Sequence, residues 1–335
     1  MDGTLEERAQ NEPEAAALVS DTGLAARPSL CALKDRVRSG DPRALGRAAT
    51  LVENQMPGGR ELLDALFADT GRALTIGITG PPGAGKSTLV SQLTRVVRAQ
   101  GKTVGILAID PTSPYSHGAI LGDRIRMQDH HSDAGVFIRS MATRGQLGGL
   151  ARATFDVAML LDASGRDVIL IETVGTGQDE VDIAEMANVT VVVLAPGLGD
   201  DVQAIKAGIM EIADVFAINK ADLPGADQLE QDIRTMQSFG ESAERKAAAP
   251  VRRVIASEGR GIEDLLGAIM NVSNSRTGSR SSELAWQNRL RHMLRDYLYQ
   301  AVPQAEIERH AQLISSRAES PYSAVEQIAK SVLPL

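Results

Sequence analysis

The segment Gly80-Pro81-Pro82-Gly83-Ala84-Gly85-Lys86-Ser87-Thr88 lies between a β-branched apolar run, Ala73–Thr79, and a helical pattern. Strand, glycine-rich turn, Lys-Ser and helix in that order restrict the chain to a phosphate-binding α/β fold. The glycines let backbone N–H groups turn inward onto phosphate oxygens without a Cβ in the way. The helix N-terminus adds partial positive charge. Gly80, Pro81, Pro82, Gly83, Ala84, Gly85, Lys86, Ser87 and Thr88 are therefore read as nucleotide-binding residues. Lys86 is expected to place its ammonium on the β- and γ-phosphates, and Ser87 to ligate Mg²⁺.

Further apolar runs follow at Thr103–Ile109, Val168–Ile171, Thr190–Leu194, Val215–Ile218 and Val251–Ala256, with a weaker one at Val136–Ile138. Helical patterns lie between most of them, which predicts a mainly parallel sheet flanked by helices, the P-loop NTPase arrangement. The expected organisation is a mobile tail over 1–28 and a helical N-terminal extension over 29–70. The P-loop domain occupies 71–272, and a hinge with a C-terminal helical arm occupies 273–335. In the extension Asp41-Pro42 predicts an N-cap followed by proline at the first helical position. Ser273–Ser282, rich in Ser, Gly and Arg, predicts the hinge.

Composition removes several alternatives. A formal charge of −8 argues against a broad nucleic-acid surface. Cys31 is the sole cysteine, so neither an intramolecular disulfide nor a cysteine metal cluster can form within one chain. The first residues carry Asp2, Glu6, Glu7 and Arg8, unlike a signal peptide, and no stretch nears the ~18 apolar residues of a membrane span. The expected compartment is the cytoplasm of a bacterium, or an organelle matrix in a eukaryote.

Asn219-Lys220-Ala221-Asp222 follows the run Val215–Ile218. A carboxylate at Asp222 can accept from both guanine N1–H and the exocyclic amino group, an arrangement adenine does not offer. A site built on such hydrogen bonds discriminates by roughly 10⁴ or more. The backbone N–H of Ala256 is expected to reach the guanine carbonyl. Val168–Ile171 runs into Glu172, with Gly175 three residues on; this suits a carboxylate near Mg²⁺, directly or through water, and the Gly175 N–H on the γ-phosphate. Asp110 and Asp123 are further acids expected to face the crevice outside the carboxyl ends of the strands. His117, His130 and His131 read as surface or hydrogen-bonded residues rather than metal ligands.

The full set of segments resembles the cobalamin-linked GTPases typified by MeaB, the ArgK-like proteins and the methylmalonic aciduria type A protein. The shared stretches are Gly80–Thr88, Ala108–Met127 with Ile120-Leu121-Gly122-Asp123, and Arg139–Gly145. Glu172–Gln178, Pro196–Asp214 and Asn219–Asp222 continue the match. The resemblance implies that Asp110, Asp123 and Glu172 surround Mg²⁺ and that Ala195–Lys206 relays nucleotide state to a partner. It also implies a homodimer through the C-terminal arm, and a cobalamin-dependent acyl-CoA mutase as partner, with a cobalamin adenosyltransferase as a further one. Adenosylcobalamin would then reside on the mutase, not on this chain. The family commonly has Ser or Thr before the alanine facing guanine, where this chain has Ile255.

Together these readings predict GTP hydrolysis by in-line attack of water, with Lys86, Asp110, Asp123, Glu172 and Gly175 as the catalytic set. No glutamine directly follows Gly175, and Gln178 is three residues further on, so slow intrinsic turnover is expected. Arg124, Arg126 and Arg144 are candidates for charge stabilisation. Two other functions fit a P-loop chain: a metallochaperone GTPase, and a small-molecule kinase, which guanine selectivity at Asp222 disfavours.

Overall fold

Alternation of side chains decides how the apolar runs assemble. In the computed structural model, which describes residues 30–110, 130, 132–142, 149–173, 184, 186–197, 210–239, 248–276 and 279–332, they pair into one sheet. Its strands are β1 (Leu74–Thr79), β2 (Val104–Asp110), β3 (Val136–Ala142), β4 (Val168–Glu172), β5 (Val189–Leu194), β6 (Val215–Ile218) and β7 (Val251–Arg253). The order is β3-β2-β4-β1-β5-β6-β7, and every pairing between them is parallel.

Both faces are apolar, as parallel sheets require. Ile76, Ile78, Ile106, Leu170, Val191 and Val193 share one core with Leu89 and Leu93 of α4 (Lys86–Ala99) and Leu265 and Ile269 of α7 (Ile262–Arg276). The intervening residues Leu107, Ile109, Ile169 and Ile171 face the other way. They pack on α1 (Leu30–Arg38), α2 (Pro42–Glu53), α3 (Gly59–Leu66) and α5 (Gly149–Ala163). A third cluster sets Phe216 and Ile218 against Ile233 of α6 (Ala226–Phe239). Each fully buried Val, Leu, Ile or Phe contributes about 1.5–3 kcal/mol relative to exposure.

The N-terminal extension thus supplies about half of the buried side chains on this second face. Its second helix starts as expected: Asp41 accepts from the Arg43 and Ala44 N–H groups at 2.8 and 3.0 Å, with Pro42 in the first turn. This satisfies donors that a helix N-terminus leaves open.

Three boundaries differ from expectation. β3 runs to Ala142, well past Ile138, because the full length of β2 lies beside it. β7 ends at Arg253, since the chain turns through Ile255 and forms a 3₁₀ turn over Ala256–Glu258. The expected hinge is largely helical: α7 continues to Arg276 and α8 (Ser279–Ala301) begins three residues later. Ser275 Oγ donates back to Val272 O at 2.7 Å, and the Arg276 guanidinium is held by Asp214, so helix geometry persists where composition suggests coil. The tail over 1–28 lies outside the described residues.

The C-terminal arm continues as α9 (Gln304–Ser315) and α10 (Pro321–Val332). The base of α8 is anchored by Trp286, which meets Phe67 and Phe155 edge-on at 5.7 and 5.8 Å, and by Arg289 over the Phe155 ring. Among the described residues, no helix is long and apolar enough to cross a membrane.

Candidate nucleotide site

The carboxyl ends of β1, β4, β5 and β6 converge where the order of strands reverses about β1, the position at which open α/β sheets bind ligands. Between β1 and α4 the loop Gly80–Gly85 needs its glycines. Gly80 has φ +136°, and a Cβ there would lie 2.1 Å from Val193 O. Gly85 has φ +91°, and its Cβ would lie 2.3 Å from Asn219 Nδ2. Lys86, at 6% exposure, folds its ammonium back inside the loop. It donates to Gly80 O at 2.6 Å and Pro81 O at 3.0 Å. Main-chain dipoles thereby offset a buried cation that water would otherwise solvate.

Ser87, in the first turn of α4, donates from Oγ to Glu172 Oε1 at 2.6 Å. Both residues are buried. Glu172 ends β4 opposite Ile78 of β1, so the sheet register itself delivers the carboxylate to the phosphate-loop serine. Asp110 is the last residue of β2, two positions beyond Ala108, which pairs with Glu172. Asp123, Gly175, Arg124, Arg126, Arg144 and Gln178 lie outside the described residues, as do His117 and His131. His130 is buried, its Nε2 2.9 Å from Ser91 Oγ on α4, and is a hydrogen-bonded residue as expected.

On the other side of the loop stands Asn219, at 3% exposure. Its Nδ2 donates to Ala84 O at 2.8 Å, while Oδ1 accepts from the Lys220 and Ala256 N–H groups at 2.9 and 3.0 Å. One amide thus ties the phosphate loop, its own turn and the Ala256 turn together. The Ala256 N–H, expected on a guanine carbonyl, is here given to Asn219. Lys220, with φ +55°, extends along the loop and donates from Nζ to Gly83 O at 2.9 Å. Asp222 lies exposed two residues on. Pro82, Gly83 and Thr88 are exposed around the loop, and Ala84 is buried.

Sequence reasoning passed over Thr79, which ends β1, and Thr173, which directly follows the neighbouring β4; both hydroxyls are buried, with Thr173 Oγ1 donating to Thr79 Oγ1 at 2.9 Å. The available signal was a threonine at the end of each of two apolar runs, each leading into a glycine-containing segment.

Residues 45–309 match the sequence profile of a family described as methylmalonyl-CoA mutase-associated GTPase MeaB. The chain belongs to the MeaB family. A protein of Pyrococcus abyssi is 45% identical over 313 residues, 90% of this chain and 96% of its own length. The GTPase ArgK of Escherichia coli is 37% identical over 251 residues, 73% of this chain and 76% of its own. Among solved structures, one titled LAO/AO transport system kinase superposes with a TM-score of 0.70 at 25% identity, covering 92% of this chain and 99% of that one. This MeaB-family chain is a P-loop NTPase and a GTPase.

Proposed function

We propose that this GTPase binds a cobalamin-dependent acyl-CoA mutase and couples GTP binding and hydrolysis to adenosylcobalamin loading, protection and reactivation on that enzyme. The family description names association with methylmalonyl-CoA mutase, and the observation that carries the nucleotide half is the Ser87–Glu172 contact at the mouth of the phosphate loop. Methylmalonyl-, isobutyryl- and 2-hydroxyisobutyryl-CoA mutases are all candidate partners, and a cobalamin adenosyltransferase is a further one. We place the protein in the cytoplasm.

Within this reading Ser87 and Glu172 hold Mg²⁺, with Asp110 and Asp123 completing its surroundings. The donors suit the ion: both are hard oxygens, a hydroxyl and a carboxylate held 2.6 Å apart. Bound there, Mg²⁺ would supply neutralisation of the negative charge on the phosphates. Lys86 transfers its hydrogen bonds from Gly80 O and Pro81 O to phosphate oxygens. The loop amides and the Gly175 N–H orient the γ-phosphate for in-line attack by water. Asp222 reads the guanine edge, while Asn219 holds the two loops together. With no glutamine directly after Gly175, hydrolysis by the isolated chain is slow, and the partner accelerates it.

Dimerisation through the arm has physical support. Leu290, Met293, Leu294 and Tyr297 of α8 are exposed, and their spacing puts them on one helical face. A second copy of the chain covers this stripe.

Affinity capture with each mutase, in GDP and in a non-hydrolysable GTP analogue, tests the proposal. One mutase is retained with an affinity that depends on the nucleotide, and it speeds GTP hydrolysis. Retention of none in either state refutes the reading.

A further inference from the structure

We propose that Thr79 and Thr173 are positioning residues that set the spacing of Ser87 and Glu172 for a divalent cation. The inference rests on the reading of those two residues as metal ligands. Thr79 is the last residue of β1, and Thr173 directly follows β4. The register Ile78↔Glu172 makes them the next pair along the ladder, and the Thr173 N–H donates to Ile78 O at 3.0 Å. Both are essentially fully buried, at 0% and 1% exposure.

Side chains alternate along a strand, so the face of β4 that Thr173 continues carries the buried Ile169 and Ile171. A hydroxyl in such a place costs free energy unless it is hydrogen-bonded, and here the two satisfy each other, Thr173 Oγ1 donating to Thr79 Oγ1 at 2.9 Å. Gly80 turns into the phosphate loop, and the Glu172 side chain reaches Ser87 on α4.

The result is a closed circuit. It runs from Thr79 through the phosphate loop to Ser87, across to Glu172, along the backbone to Thr173 and back to Thr79. Two side-chain hydrogen bonds close it, Ser87–Glu172 and Thr173–Thr79. A cation held by Ser87 and Glu172 would take the place of the first of these. The second then anchors the strand that carries Glu172 to the strand that carries the loop. Partners of this outer kind orient metal ligands, and their loss costs about 10–100-fold in metal affinity.

The test uses the full chain with Thr173→Val, Thr79→Val, the double valine variant and Thr173→Ser. Three quantities are read: Mg²⁺ binding to the GDP complex by calorimetry, GDP affinity in EDTA, and the thermal midpoint. Each single valine variant is expected to weaken Mg²⁺ binding roughly tenfold and to lower the midpoint, with GDP affinity in EDTA unchanged. The double variant leaves no unpaired hydroxyl, so its midpoint recovers while Mg²⁺ binding stays weak. Thr173→Ser keeps the hydroxyl and binds Mg²⁺ like wild type. If Mg²⁺ binding in the double variant recovers together with the midpoint, the pair is only structural and the inference is overturned. Unshifted Mg²⁺ binding in the single variants overturns it too. A wild-type GDP complex that binds no Mg²⁺ overturns the reading of Ser87 and Glu172 itself, a separate and recognisable failure.

Discussion

Asn219→Ala is the substitution whose consequence the structure sizes best. The side chain is buried and makes three hydrogen bonds, to Ala84 O, Lys220 N and Ala256 N, at 2.8–3.0 Å. Alanine removes all three. Ala84 and Ala256 are buried, whereas Lys220 is half-exposed, so water can replace only the last partner. Each buried group left unsatisfied costs about 1–3 kcal/mol, which places the loss near 3 kcal/mol. For a domain of roughly 150–250 residues, 1 kcal/mol corresponds to about 2–4 °C in Tm, so the nucleotide-free variant is expected to melt roughly 6–12 °C lower. The effect on binding follows from the same bonds. Without them the turn carrying Asp222 is tied to the phosphate loop only by the exposed Lys220–Gly83 contact, and the two halves of the ligand site lose their fixed separation. GDP affinity is expected to fall by about 100-fold or more, near 2.7 kcal/mol. Thermal unfolding without nucleotide and calorimetric titration with GDP read the two effects separately. A midpoint within about 2 °C of wild type, together with unchanged GDP affinity, refutes the idea that one amide couples the two loops.

Other substitutions probe the remaining parts. Asp222→Asn is expected to shift preference from GTP toward XTP, because the amide reverses one donor–acceptor demand; competition binding checks it, and retained guanine preference removes Asp222 from the base site. Replacing Leu290 and Leu294 by glutamate is expected to halve the mass seen by light scattering while the far-UV circular dichroism stays that of the folded chain, since both are exposed in the single chain. Acid sensitivity follows from two lowered carboxylates. Asp133 is held below the usual range by hydrogen bonds from Arg98 and then from the Gly135 N–H, and Asp167 chiefly by the Thr103 N–H. A depressed folded pKa contributes stability above the ordinary value of about 3.9 and loses it as pH falls further. Denaturant unfolding should therefore show flat stability above about pH 5 and decline below about pH 4, less steeply in Asp133→Asn.

Most of this architecture was legible because its causes are local. The strands announce themselves as β-branched runs, and two apolar faces demand a parallel sheet with helical cover. The phosphate loop needs particular residues at fixed spacing, and so does the Asp41 cap. What stayed hidden is set by distant partners. Nothing near Ala256 shows that its N–H is taken by Asn219, thirty-seven residues earlier in the chain. β3 appeared short because Arg139 and Ser140 break its apolar pattern; the neighbouring β2 imposes the extra length, and Arg139 is paired with Glu53 of α2. The hinge was misjudged because Ser and Gly disfavour helix in isolation, whereas Asp214, just before β6, fixes Arg276 at the helix end. Ser87 and Glu172 were each named from the sequence, and their meeting is a product of the β1–β4 register.

Calorimetric titration of the purified chain with GDP and, in parallel, with ADP, in the presence of Mg²⁺, tests the central claim most directly. The arrangement of Gly80–Thr88 and Asn219–Asp222 predicts one GDP bound per chain and no detectable heat with ADP at the same concentrations. Equal binding of both nucleotides, or of neither, contradicts it.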